Sequence, residues 1–102
     1  MEIHLPDEIK HYEGELRYFI DTMVRKLHTN RHKGFADGKH PVEMFNGAEG
    51  EMKELRDALL HRDQFAAFVE AADVANMVFL TGLAAVRMTR DEFDYARTNK
   101  DE

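Results

Sequence analysis

Two pairs of acids in this 102-residue chain have a spacing that could do chemistry: Glu51 with Glu54, and Glu70 with Asp73. A separation of three puts both members of a pair on one side of a helix, one turn apart. The midpoints of the two pairs are equidistant from Arg62, in the middle of the turn signal His61–Asp63 that separates them. An antiparallel hairpin turning at Arg62 would set the pairs opposite each other at one level. Each pair adjoins the apolar stripe: Glu51 and Glu54 precede Met52 and Leu55, and Asp73 follows Ala72. One residue is about 100° of helix, so the carboxylates fall at the edge of the buried face rather than out in solvent. Four carboxylates at a half-buried level repel and raise one another's pKa. Divalent cations relieve that repulsion, and hard oxygen ligands on a rigid helical frame suit Mg²⁺ or Mn²⁺, which keep positions open for water and phosphate. The chemistry expected of such a site is metal-assisted displacement at phosphorus. A lone ExxE is ordinary surface charge; two pairs level across a hairpin favour a metal site.

The elements that must position these acids are helical. From Asp7 to His28 the apolar residues Ile9, Tyr12, Leu16, Phe19, Ile20, Met23 and Leu27 recur at steps of three and four, with Asp7 as the expected N-cap. A second helix is expected from Pro41, carrying Phe45, Ala48, Met52, Leu55 and Leu59 inward, with Gly47 and Gly50 weakening its early turns. The third opens at Asp63 and places Phe65, Phe68, Ala72, Ala75, Phe79 and Leu83 on one stripe. Residues 71–83 are apolar nearly all round, which calls for a second covering surface, most simply another subunit. Thr89 and Glu92 form a capping box for a short fourth helix, and residues 99–102 are expected to fray. No segment alternates with period two. The expectation is an all-α antiparallel bundle of four helices, one domain over residues 1–102, completed by oligomerisation as a homodimer or homotetramer.

Composition narrows the function classes. The chain has no cysteine, which excludes a disulfide scaffold, a thiolate zinc site and a cysteine nucleophile. Twenty acids against fourteen Lys and Arg leave a net charge of −6, the wrong sign for duplex nucleic acid. The charge is uneven: residues 25–40 hold Arg25, Lys26, Arg31, Lys33 and Lys39 against the single acid Asp37. A basic segment inside an acidic chain suggests a small anionic ligand held between the two. The first residues carry no basic n-region before an apolar run, and the longest uninterrupted apolar stretch is Met77–Leu80, so neither a secretory signal nor a membrane span is expected. The expected location is the cytoplasm.

The strings Glu51-Met-Lys-Glu54-Leu55 and Glu70-Ala-Ala-Asp73-Val74 resemble the ExxE…ExxD signature of the all-α nucleoside triphosphate pyrophosphohydrolases. That superfamily includes MazG-like proteins, dimeric dUTPases, dCTP pyrophosphatases and phosphoribosyl-ATP pyrophosphatase. Asn30-Arg31-His32-Lys33-Gly34-Phe35 is similar to a loop of the small phage-type MazG-like proteins, and the likeness spans roughly residues 20–85. The resemblance implies that Glu51, Glu54, Glu70 and Asp73 bind Mg²⁺, one of them taking a proton from the attacking water. It also implies cleavage between the α and β phosphates of a nucleoside triphosphate, giving a monophosphate and pyrophosphate. A purine deoxynucleotide such as dGTP or dATP is the substrate the phage-type likeness suggests, in the host cytoplasm if the chain is phage-encoded. Family members often carry two adjacent acids at the start of the first motif. Here Gly50 precedes Glu51, and Glu49 either compensates or is solvated.

With a triphosphate in view, His32 and Lys33 are the preferred loop contacts, while Arg31 and Lys39 read first as solvated charge. Phe35 either stacks on a base or anchors its loop. Asn76 lies one turn after Asp73 and either touches ligand or pairs helices. Lys26 and Lys53 are weaker candidates. Gly34-Phe-Ala-Asp-Gly38-Lys39-His40 is one residue short of a P-loop, lacks its Ser/Thr and follows no expected strand. His28 and His32 straddle a helix end without the acid of a zinc HExxH site. Two other readings stay open: hydrolysis of phosphoribosyl-ATP, and a non-catalytic helical interaction module with a degenerate acid cluster.

Overall fold

Among the described residues three long α-helices carry the fold: α1 (Glu13–Thr29), α2 (Pro41–Leu60) and α3 (Gln64–Arg87). The computed structural model describes residues 3–94, and among the described residues there is no strand, so the fold is all-α. The expected fraying of 99–102 lies outside the described residues. α3 is the middle element, packing along α2 and against α1.

The α2–α3 hairpin turns where the acid spacing placed it. Arg62 adopts a left-handed conformation at φ 57°, and Asp63 caps α3 by accepting from the Ala66 N–H at 3.0 Å. Residues equidistant from Arg62 then face one another. Met44 and Leu80 share the core cluster with Ala36 and Ala84. At position 47 a Cβ would fall 2.6 Å from Met77 Cε, so only glycine lets that methionine tip lie where it does. Pro41 opens α2 as expected, although its cap is His40, whose Nδ1 accepts from the Val42 N–H at 3.1 Å.

Three expectations are corrected. Asp7 does not cap the first helix. Residues Asp7–Tyr12 form a 3₁₀-helix that follows Pro6 without a side-chain cap, and α1 starts only at Glu13. None of those six residues is buried, and Ile9 and Tyr12 are exposed, so no packing rewards α-geometry there. From Leu16 onward the expected α1 stripe is half-buried, and Phe68 of α3 meets the Tyr18 and Phe19 rings at 5.2 and 5.4 Å.

The inward faces of the hairpin are also rotated. Of the expected stripes, Ala48 and Ala72 are buried and Leu55, Phe68, Ala75 and Leu83 half-buried, but Phe45, Met52 and Leu59 of α2 and Phe65 and Phe79 of α3 are exposed, and Met44, Asn76, Leu80 and Ala84 are buried in their place. Helices approach closely where their contact residues are small, and the alanines set that spacing. Finally, α3 runs through Gly82 to Arg87, beyond Leu83. At 24 residues, with an 18-residue stretch of mean hydropathy 1.5, it has the length and composition of a membrane span, which the short uninterrupted runs did not suggest. Its polar residues Glu70, Asp73 and Asn76 are all at least half-buried and turned to its neighbours.

Thr89 and Glu92 form the expected capping box, each accepting the other's backbone N–H at 3.2 and 3.1 Å, and residues 90–94 are helical. The Phe93 ring stacks on the His40 imidazole, joining this segment to the start of α2.

Candidate metal centre and cleft

The hairpin register brings the acids together. One carboxylate oxygen each from Glu51, Glu70 and Asp73 lie within 4.8 Å of one another, a triad that can hold a metal ion. Glu54, one turn from Glu51, is exposed and lies outside that triad, but its charge is near enough to raise both Glu51 and Glu70. Three of the four acids selected from the sequence therefore form the triad, and Glu54 stands at its exposed edge.

Their electrostatics are those of a site built for cations. Glu51 is pushed up to about 7, first by burial, then by the charge and hydrogen bond of Glu54, and then by Asp73 and Glu70. Glu70 is raised by burial, then by Asp73 and Glu54, against the opposing pull of Lys26. Glu51 Oε2 and Glu70 Oε2 are buried without a hydrogen-bond partner. Buried carboxylate oxygens left unpaired are costly, and an all-oxygen, multiply charged donor set fits a hard divalent cation.

A cleft of about 310 Å³ opens beside the triad, with Glu51 and Asp73 in its wall. Three lysines share that wall: Lys26, Lys33 and Lys39. Lys26 Nζ lies 3.5 Å from Asp73 Oδ2, both side chains partly buried, and Lys39 Nζ donates to the Lys33 carbonyl at 3.1 Å. Sequence reasoning placed Lys26 low. The signal was present, since Lys26 is one turn after Met23 and next to Leu27 on the packed face of α1. The far part of the cleft is apolar, formed by Leu27, Phe35, Met44, Met77 and Leu80.

Other selected residues divide. Phe35 both packs on the core cluster and lines the cleft. It takes φ 49° directly after Gly34 at φ 83°, a left-handed pair that is strained for an aromatic residue and turns the chain sharply over the cleft. Arg31 turns away: its Nη1 donates to the His28 carbonyl at 2.7 Å, satisfying the end of α1. His32 is exposed on the 3₁₀ turn Arg31–Lys33 and is not part of the cleft wall, and Lys53 is exposed on α2. Asn76 is buried in the wall, tied to α1 through Nδ2 and the Met23 carbonyl at 3.0 Å. Comparison with family models, with curated proteins and with solved structures finds no match to this chain.

Proposed function

We propose that the chain is a Mg²⁺-dependent nucleoside triphosphate pyrophosphohydrolase of the all-α, MazG-like kind, with Mn²⁺ as an alternative ion. The observation that carries this reading is the triad of Glu51, Glu70 and Asp73, with Glu54 at its edge, beside a lysine-walled cleft, with two buried carboxylate oxygens unpaired. Bound there, the ion would supply Lewis acidity for displacement at the α-phosphorus and neutralise phosphate charge. The chain's own groups do the rest. The four acids hold the cation, and one of them takes the proton of the attacking water. Lys26, beside Asp73, neutralises phosphate as a point charge, while Lys33 and Lys39, on the loop that carries Phe35, add positive charge to the cleft wall. The apolar end, with the Phe35 ring, takes the base and excludes water from it. The substrate class is a purine deoxynucleoside triphosphate such as dGTP or dATP, and the products are the monophosphate and pyrophosphate.

The exposed residues Phe45, Met52 and Leu59, seven apart on α2, with Phe79 and Val86 on α3, favour assembly as a homodimer or homotetramer. The same face supports a second reading, a helical interaction module without catalysis. Metal separates the two: a cation bound to the folded state raises the melting temperature by mass action, and a degenerate cluster leaves it unchanged.

The decisive experiment is a pyrophosphate-release screen over the common ribo- and deoxynucleoside triphosphates and phosphoribosyl-ATP, with Mg²⁺ or Mn²⁺. Glu54→Gln is the control. Release that needs metal and disappears in Glu54→Gln is the expected result. No release from any substrate, or full activity in that variant, would overturn the proposal.

A further inference from the structure

Asn76 stands in the cleft wall with one half of its amide engaged and the other free. It is 5% exposed, Nδ2 donates to the Met23 carbonyl at 3.0 Å, and Oδ1 is buried without a partner. The Met23 oxygen can only accept, so turning the amide over would set two oxygens against each other. Oδ1 is therefore the amide atom left without a partner, in a residue of the cleft wall. A buried acceptor in this state rewards a ligand that donates to it and rejects one that cannot.

Its position says which part of a ligand that is. Along α3 the wall residues Asp73, Asn76 and Leu80 pass from carboxylate to amide to alkyl in about two turns, roughly 10 Å. On the antiparallel α2 the matching wall residues are Glu51, Gly47 and Met44. The charged end and the apolar end are thus separated by a middle level holding one free acceptor and, opposite it, a residue without a side chain. In a nucleoside triphosphate the sugar separates phosphates from base.

Resting on the nucleotide reading above, we infer that Asn76 Oδ1 accepts a hydrogen bond from the 3′-hydroxyl of the substrate's sugar, making this residue a determinant of sugar recognition. With the α-phosphate at the acids, a donor one turn along α3, about 4.5 Å on, is a sugar hydroxyl and not a base N–H. The base then lies beyond, against Phe35, Leu27 and Leu80.

The test is calorimetric binding, in Mg²⁺, of three non-hydrolysable α,β-imido purine nucleotides that differ only at the 3′ position: hydroxyl, hydrogen or amino. The wild-type chain should bind the 3′-deoxy compound about 10- to 100-fold more weakly than the hydroxyl compound. The 3′-amino compound, which keeps a donor, should recover most of the loss. Asn76→Leu, which removes both polar atoms, should bind the hydroxyl and deoxy compounds equally. Should that variant fail to fold, the three-ligand series on the wild type decides alone. Equal binding of all three by the wild type, or discrimination surviving in Asn76→Leu, overturns the role of Asn76 and leaves the hydrolase reading standing. Binding of none of the three overturns both.

Discussion

Replacing Glu51 by glutamine should make the metal-free protein more stable at alkaline pH and remove its response to metal. Glu51 titrates at about 7 in the folded chain against a reference of 4.5. At about 1.4 kcal/mol per pH unit the full difference would be roughly 3 kcal/mol. The cluster opens to solvent on its Glu54 side, and screening reduces the expected effect to about 1–2 kcal/mol. The folded-state value is raised, so this group's contribution to stability is fully present below the unfolded value and is lost as pH rises through about 7. A glutamine at this position does not titrate. Melted in chelator, the Glu51→Gln variant should therefore gain on the wild type by roughly 5–10 °C between pH 5 and pH 8. Adding Mg²⁺ at pH 8 should reverse the order, because the wild type is stabilised by binding and the variant has lost a ligand. Titrating groups outside the acid cluster are common to both proteins and cancel in the difference. Parallel melting curves across the pH range would refute the argument that burial and like charge load this carboxyl.

Lys26→Met should weaken nucleotide binding by removing a cation from the cleft wall. It should also raise the Glu70 pKa further, visible in an NMR titration of the side-chain carboxyls, since Lys26 now pulls it down. Gly47→Ala adds a methyl 2.6 Å from the Met77 tip and gains about 1 kcal/mol of helix propensity. Denaturant unfolding should show little loss, while calorimetry shows weaker nucleotide affinity as Met77 is pushed into the cleft. Asp63→Ala removes the cap of α3, in which Oδ1 accepts from the Ala66 N–H. It should cost about 1 kcal/mol in denaturant titration and lower metal affinity, because the hairpin turn sets the level of the acids.

The register of the hairpin was legible because three local signals agree on it: Pro41 for the start of α2, Asp63 for the cap of α3, and acid pairs centred on Arg62. Each is a rule about nearby backbone and needs no tertiary knowledge. The rotation of the helix faces was not legible. Periodicity marks a band of apolar residues on α2 wide enough to include both Met44 and Phe45, and hydrophobicity alone ranks phenylalanine inward. Close packing inverted that order, burying Met44 and leaving Phe45 55% exposed. The same blindness hid Lys26, whose role depends on how α1 crosses α3. The loop after α1 shows the opposite limit. Arg31 and His32 have the right chemistry for phosphate, but the 3₁₀ turn directs one to the helix end and leaves the other exposed. Lys33, the last residue of that turn, and Phe35, in a left-handed pair with Gly34, line the cleft.

The rotated faces bear on how the proposed centre keeps its geometry. The core inside this chain consists of Ala36, Met44, Ala48, Ala72, Leu80 and Ala84, four of them alanines, and among the described residues no large side chain is fully buried. Alanines let α2 and α3 approach closely, which brings carboxylates on opposite helices within reach of one ion. They also contribute little burial free energy to hold that approach against the repulsion of four acids. The hairpin thus has an acid cluster that pushes the helices apart, while the apolar side chains of Phe45, Met52, Leu59, Phe79 and Val86 remain exposed. A cation at the acids and a second subunit on those side chains would act on the same pair of helices, one cancelling the repulsion and the other supplying the missing burial. In the proposed oligomer, metal affinity and assembly are then coupled through the α2–α3 spacing, although none of those apolar side chains touches the metal.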